Sequence, residues 1–241
     1  MLSIVIPTFR REAYLPPLFA SLAAQIASCG VDAEVIVVDN SPDASARVVA
    51  ARGTDRLDAL RYVHEPRPGV AQARNRGVAE AAGSHVVFLD DDEVPGHGWL
   101  ATYARMAATG AAACFGAIDA QFDSPPPAAL RQPLERVFSR HLAAPPSADV
   151  TGLRAYLGSG NSMFRRDVLA QISPPFDTAF NGGGEDVWLL RKLVDDRGVV
   201  LIWCPQALVA ERVPADRATM AFLRRRRFSD RSEERRVGKE C

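Results

Sequence analysis

The chain has 241 residues, 47% of them hydrophobic and 24% charged, and its formal net charge is zero. That composition suits one large α/β domain with a sizeable core. It provides no field that would favour nucleic acid or an anionic membrane. No run of about 18 apolar residues marks a membrane span. The N-terminus enters an apolar strand at Leu2 without a basic region or cleavage site, so it does not read as a signal peptide. Cys29, Cys114, Cys204 and Cys241 are scattered, with neither metal spacing nor a disulfide framework. A cytoplasmic, reduced compartment is expected.

The chain opens with a short apolar run at residues 2–6 that stops at Pro7, a buried strand. Leu15, Leu18, Phe19, Leu22 and Ile26 then recur at helical spacing, and Gly30 ends that helix. Residues 34–38 form a second apolar strand, closed by a turn cluster at 39–42. Residues 60–64 form a third. Residues 70–82 are an alanine-rich helix ended by Gly83. Residues 85–89 form a fourth strand that runs into Asp90, Asp91 and Asp92. Strands that are apolar throughout, alternating with helices, predict an α/β fold: a mostly parallel central sheet with helices on both faces. Ligands of such sheets bind at the carboxyl ends of the strands, where Thr8, Asp39 and Asp90 to Asp92 all fall.

The second half is less regular. A helix is expected at 99–108 and a strand at 112–118. Residues 123–155 form a proline-rich excursion with a short helix near 134–142. A strand follows at 158–164, a helix at 186–196, a strand at 199–203 and a helical stretch at 214–228 that carries Arg224 to Arg227. No linker divides the chain, so residues 1–230 read as a single domain, with a regular half at 1–120 and a less regular one at 121–230. The last eleven residues, 231–241, look foreign. Lysine occurs only at Lys192 and Lys239, and the tail has no apolar periodicity. It resembles a translated sequencing adapter and is expected to be non-native. The alternative is a solvated charged tail.

Three adjacent carboxylates repel one another, and a hard divalent cation removes that cost. Alternation along the strand end lets Asp90 and Asp92 face one pocket. Asp39 can accept from a base edge or can simply make its turn. Arg74 on the alanine-rich helix can clamp phosphate or remain a solvated charge. Glu185 and Asp186 follow three glycines at a helix start, where capping and general-base chemistry are both open. The set describes group transfer from a nucleoside diphosphate: a metal neutralises the leaving group and a carboxylate takes the acceptor's proton.

These residues resemble family 2 glycosyltransferases with the GT-A fold. The matching stretches are SIVIPT at 3–8, VVDNS at 37–41, GVAQARN at 69–75, FLDDD at 88–92, GSGN at 158–161 with FRR at 164–166, and GED at 184–186. Their ordered set is specific although each motif is loose. The resemblance implies that Pro7, Thr8 and Glu12 line the nucleotide pocket and that Asp39 holds the base. Arg74 would approach the nucleotide or diphosphate, with Asp91 alongside. Asp90 and Asp92 would be the metal element for Mn²⁺ or Mg²⁺, with Asp92 the direct ligand. Asn161 and Gly184 would lie by the donor sugar or acceptor. Asp186 would be the base of an inverting displacement, with Glu185 beside it or sharing the role. Where many relatives carry a late histidine, this chain has Glu211 as a candidate metal ligand.

The resemblance also implies the partners: a sugar nucleotide, most simply a UDP-sugar, and a hydroxyl acceptor on a glycan, lipid-linked glycan or protein. Peripheral membrane contact and the oligomeric state stay open. The rival readings are a sugar-phosphate nucleotidyltransferase and a non-catalytic sugar-nucleotide-binding protein. The first would need a glycine-rich basic loop where residues 7–12 stand. The intact acidic triplet argues against the second. A Rossmann oxidoreductase would need G-x-G-x-x-G after the first strand, and it is absent.

Overall fold

The fold was determined as a computed structural model, which describes residues 1–55, 57–181 and 183–226. The expected tail at 231–241, Arg227 and Gly182 lie outside the described residues.

Eight strands form one sheet. They are β1 (Leu2–Thr8), β2 (Ala33–Asp39), β3 (Leu60–His64), β4 (His85–Phe88), β5 (Glu93–Pro95), β6 (Ala113–Phe122), β7 (Ser162–Arg165) and β8 (Leu201–Val213), in the spatial order β3-β2-β1-β4-β7-β6-β8-β5. β3, β2, β1 and β4 are mutually parallel. β7 then pairs antiparallel with both β4 and β6, β6 and β8 run parallel, and β5 closes antiparallel on β8. The α/β architecture is therefore as expected, with the parallel character concentrated in the first half.

The helices that flank the sheet include α1 (Leu15–Cys29), α2 (Arg47–Gly53), α3 (Val70–Glu80), α4 (Trp99–Ala108), α5 (Ala128–Phe138), α6 (Arg166–Leu169) and α7 (Glu185–Arg191). Two cores lie on opposite faces of the sheet. One packs Val5, Ile36, Val38, Phe88 and Phe115 against α3 and α7. The other packs Ile4, Ile6, Val35 and Val37 against α1 and α4. Alternate residues of β1 and β2 thus face opposite cores, which is why both strands read as continuous apolar runs. α3 lies tight on β1: a Cβ at Gly77 would meet Val5 Cγ1 at 2.2 Å.

Several expected boundaries move. β1 continues through Pro7 to Thr8, because the β4 ladder ends at Val5–Phe88 and Pro7 is paired on the β2 side alone. α5 begins six residues before the expected 134, carries Pro133 inside it, and packs Leu134 and Phe138 on a third, small cluster with Val213. Residues 158–161 are a loop, and β7 starts at Ser162. The late strand expected at 199–203 is the first part of a 13-residue strand that reaches Val213. This extension puts Glu211 inside the sheet, opposite Glu93 of β5. α2 and β5 were not expected. α2 is only seven residues long, and the three residues of β5 are hidden behind the acidic run. The helix at 186–196 forms as seven α residues followed by a π turn, Lys192–Asp196. Of the expected 214–228 helix, residues 220–226 are helical and 214–219 are turns. Among the described residues no helix is long and apolar enough to cross a membrane.

Candidate active site

The acidic triplet leaves the end of β4 and turns into β5, at the carboxyl edge of the parallel strands. Each carboxylate is held differently. Asp91 is buried; it accepts Thr8 Oγ1 at 2.8 Å and Arg11 at 3.0 Å. Asp92 Oδ2 accepts Arg11 at 2.7 Å and Arg217 at 3.3 Å. Asp90 is the most open, with its side chain 36% exposed, and accepts Arg74 at 3.2 Å. Burial first, then Asp90 and Asp91, push the Asp92 carboxyl up to about 7, and Arg11 opposes them. Glu211 reaches about 8 through burial, then Asp92 and Asp90, with Arg226 and Arg11 opposing.

The crowding of carboxylates thus disfavours charge on Asp92 and Glu211, and a divalent cation would reverse that. Among the described residues no three acidic, histidine or cysteine side chains are gathered as ready ligands, and arginines bond Asp92. The oxygen-rich donor set fits Mg²⁺ or Mn²⁺ once those arginines yield.

Arg74 joins the triplet to the second acidic pair. It rises from α3, buried, donates to Asp90 and to Glu185 Oε1, and lies 5.7 Å from the centre of the Phe176 ring. Asn75 fixes that ring's backbone from both sides, donating to Phe176 O at 2.7 Å and accepting Phe176 N at 3.0 Å. Phe176 also packs edge-on against Phe88. Arg74 is therefore neither a solvated charge nor turned outward to a phosphate: its guanidinium is committed to two carboxylates. Burial raises the Glu185 carboxyl to about 7 against the pull of Arg74, with Asp186 adding to the rise.

Asp186 stands in the first turn of α7, after Gly184 at φ 93°, and is partly exposed. It accepts Val187 N at 2.8 Å and the longer Ser159 N at 3.4 Å. The loop at 158–161 lies between the two acidic groups. A Cβ at Gly158 would stand 3.1 Å from Asp186 Oδ2, and one at Gly160 would stand 2.7 Å from Asp90 Oδ2 and 3.0 Å from Glu93 Oε1. Three buried polar atoms at this junction, Arg74 Nε, Glu185 Oε2 and Ser159 Oγ, have no partner among the described residues.

Two expected ligand contacts fall on side chains that have partners within the chain. Asp39 is fully buried, and its carboxylate accepts Ser41 N at 3.0 Å, Ser41 Oγ at 2.5 Å, Ala46 N at 2.8 Å and Tyr62 Oη at 3.0 Å. These four donors include those of the turn that the sequence expected there. Asn161 is equally enclosed: Oδ1 accepts Trp99 Nε1 at 2.7 Å and Tyr103 Oη at 2.9 Å, while Nδ2 donates to Ala117 O and Ala207 O. It ties β6, β8 and α4 to the loop. Pro7 is half-buried beside Thr8, and Glu12 accepts Ser45 Oγ at 3.2 Å.

Four residues that sequence reasoning passed over belong to the site's frame. Arg11 and Arg217 hold Asp92, as above. Glu93 is buried and accepts Asp90 N at 2.9 Å and Asn161 N at 3.1 Å, fixing the triplet against the loop; burial, then Asp90, raise its carboxyl well above the usual range. Arg140 is buried and donates to four carbonyls, of Gly116, Gly158, Gly160 and Asn161, at 2.7 to 3.1 Å. Burial lowers its pKa. Arg140 sits in the proline-rich excursion, where nothing in the sequence set it apart from solvated arginines. Arg11 alone had a cue, its place directly after the first strand.

Comparison with known proteins accords with this arrangement. The profile of Glycosyl transferase family 2 matches residues 3–173. The succinoglycan biosynthesis protein ExoM of Rhizobium meliloti is 32% identical over 94% of this chain and 72% of its own length. A β-1,3-glucosyltransferase of Campylobacter jejuni that acts on GalNAc(5)-diNAcBac-PP-undecaprenol is 35% identical over 48% of this chain and 37% of its own. Among solved structures, S. aureus TarS 1–349 in complex with UDP-GlcNAc superposes with a TM-score of 0.68 at 20% identity, covering 88% of this chain and 58% of that one. The mannosyltransferase PcManGT of Pyrobaculum calidifontis, with GDP-Man and Mn²⁺, gives 0.62 at 18%, covering 89% and 57%. These neighbours share the GT-A fold, and the chain spans only part of the length of its relatives. By the profile match and the ExoM likeness, the chain belongs to glycosyl transferase family 2.

Proposed function

We propose that the chain transfers a sugar from a nucleoside-diphosphate sugar, a UDP-sugar in particular, to a hydroxyl of a growing surface polysaccharide or lipid-linked glycan. The transfer is an inverting single displacement. The observation that carries this reading is the 158–161 loop, which packs Gly160 on Asp90 and Gly158 on Asp186. The diphosphate side and the candidate base therefore flank one short glycine-bearing loop, where a donor sugar would lie. The unpartnered Glu185 Oε2 and Ser159 Oγ face a need that sugar hydroxyls meet.

In this scheme Asp186 accepts the acceptor hydroxyl's proton as oxygen attacks the anomeric carbon and the diphosphate leaves. Asp92, Asp90 and Glu211 would hold a divalent ion, which neutralises charge on the leaving group when bound. Asp91 keeps its edge in place through Thr8. Gly184 lets α7 begin close to the sugar, and Asp39 positions the strand end. Pro7, Thr8 and Glu12 line the nucleotide side. The fold half at 1–120 serves the donor and the half at 121–230 serves the acceptor. The names of ExoM and the Campylobacter enzyme support a polysaccharide or lipid-linked acceptor. Work on the donor at the cytoplasmic face, with peripheral membrane contact, fits such an acceptor.

Asp186→Asn tests the assignment. Transfer should fall at least about 100-fold while donor binding stays within a few-fold of wild type. Full transfer by this variant would remove Asp186 from the role.

A further inference from the structure

We propose that Arg11 and Arg217 are exchangeable cations: they neutralise the Asp91–Asp92 edge before donor binding, and pass to the donor's diphosphate when a divalent ion takes Asp92. The inference rests on the nucleotide-sugar reading above and adds two residues that neither the motifs nor the family match assigns.

One oxygen, Asp92 Oδ2, receives both guanidiniums, at 2.7 and 3.3 Å. A carboxylate oxygen has two lone-pair directions, so both are spent, and an ion that binds there must displace at least one arginine. The exchange conserves charge, since two guanidiniums carry the same charge as one divalent ion. It is also cheap in burial. The carboxylates are sunk, with side chains 6% and 8% exposed, while the arginines reach in from the rim at 29% and 30%. Arg11 and Arg217 are the more exposed partners and can turn outward at the rim; Asp91 and Asp92 cannot follow.

Both arginines also sit on irregular backbone. Arg11 follows Arg10, whose φ is 54°, between β1 and α1, and Arg217 lies in the turns after β8. Arg74 is the internal contrast, rigid on α3, buried and seated on Phe176, so it stays. Thr8 Oγ1 keeps Asp91 in place once Arg11 leaves. A released guanidinium at the rim is a planar donor fork, suited to bidentate capture of phosphate oxygens.

The test is calorimetric titration of the full chain with Mn²⁺ alone, and with UDP in saturating Mn²⁺, for wild type, Arg217→Gln and Arg11→Gln. Exchange gives effects of opposite sign. Each variant should bind Mn²⁺ alone several-fold tighter, having lost a competitor, and should bind UDP about tenfold more weakly, having lost a phosphate donor. Arg217→Lys and Arg11→Lys, which keep the charge without the fork, should fall between wild type and the Gln variants and serve if those fail to fold. Weakening of both ligands, or Mn²⁺ affinity left unchanged, overturns the exchange and makes the arginines fixed struts. Wild type that binds neither Mn²⁺ nor UDP refutes the nucleotide-sugar reading itself.

Discussion

The two halves of the sheet solve different problems. From β3 to β4 the strands are parallel, apolar and short, and their side chains divide between two cores with few polar crossings. From β7 to β5 the strands mix directions, and β6 and β8 run to ten and thirteen residues. Buried polar side chains bind that second half: Arg140, Asn161, Glu93 and Tyr103 form one connected set around the loop at 158–161. Hydrophobic burial builds the first half and tolerates volume-conserving change. A satisfied polar network builds the second, where removal of one member strands several partners. The second half is therefore the more fragile one, and the acidic triplet runs from the end of β4 in the first half to β5 in the second.

The comparison can be broken most sharply at Arg140. Arg140→Met removes a donor from four carbonyl groups at once, and a loss of about 3 kcal/mol or more is expected in urea unfolding. A loss below about 1 kcal/mol would mean that the network is decorative. In the parallel half, Gly77→Ala presses a methyl onto Val5, and overpacking should cost about 1–3 kcal/mol while donor affinity in the folded fraction is unchanged. A change in donor affinity without a change in stability would invert the contrast.

Gly160→Ala sharpens it further. The added Cβ meets Asp90 Oδ2 at 2.7 Å, so Mn²⁺-dependent UDP binding should weaken roughly tenfold with little loss of melting temperature. The smallest effect is on pH. Glu185 titrates near 7 in the folded chain, against 4.5 for a free side chain. Between those values the unfolded chain has released a proton that the folded chain keeps, so this contribution to stability is complete below about pH 4.5 and is lost as pH rises through 7. The melting temperature of metal-free protein should therefore fall between pH 5 and 8, and Glu185→Gln should flatten part of that slope. An unchanged slope in Glu185→Gln would exclude the residue as its source.

What the sequence revealed follows the same division. β1, β2, β3, β4, α1 and α3 are legible because burial on both faces writes unbroken apolar runs and helical spacing into the chain. Asp90 to Asp92 were legible as adjacent carboxylates that a cation would reconcile, and Asp186 as a carboxylate at a helix start where capping and base chemistry were both open. Arg140 was not, since its partners are carbonyl groups, which every residue carries, at separations of 18 to 24 positions. The internal bonds of Asn161 and Asp39 were hidden for a related reason. Their side chains saturate on backbone and neighbouring donors, and a motif letter does not distinguish a polar group facing a ligand from one facing the core. Glu211 was placed by analogy; its register opposite Glu93 emerges only from the full length of β8.

The central claim is that Asp90 to Asp92 form the cation-dependent diphosphate site of a sugar-nucleotide transferase. Its most direct test is titration of a panel of UDP-, GDP- and dTDP-sugars into wild type and Asp92→Asn, with and without Mn²⁺. The expected result is that at least one sugar nucleotide binds wild type, with affinity enhanced by Mn²⁺, and that Asp92→Asn removes the enhancement. Binding indifferent to both Mn²⁺ and Asp92→Asn, or no binding of any sugar nucleotide, would contradict it.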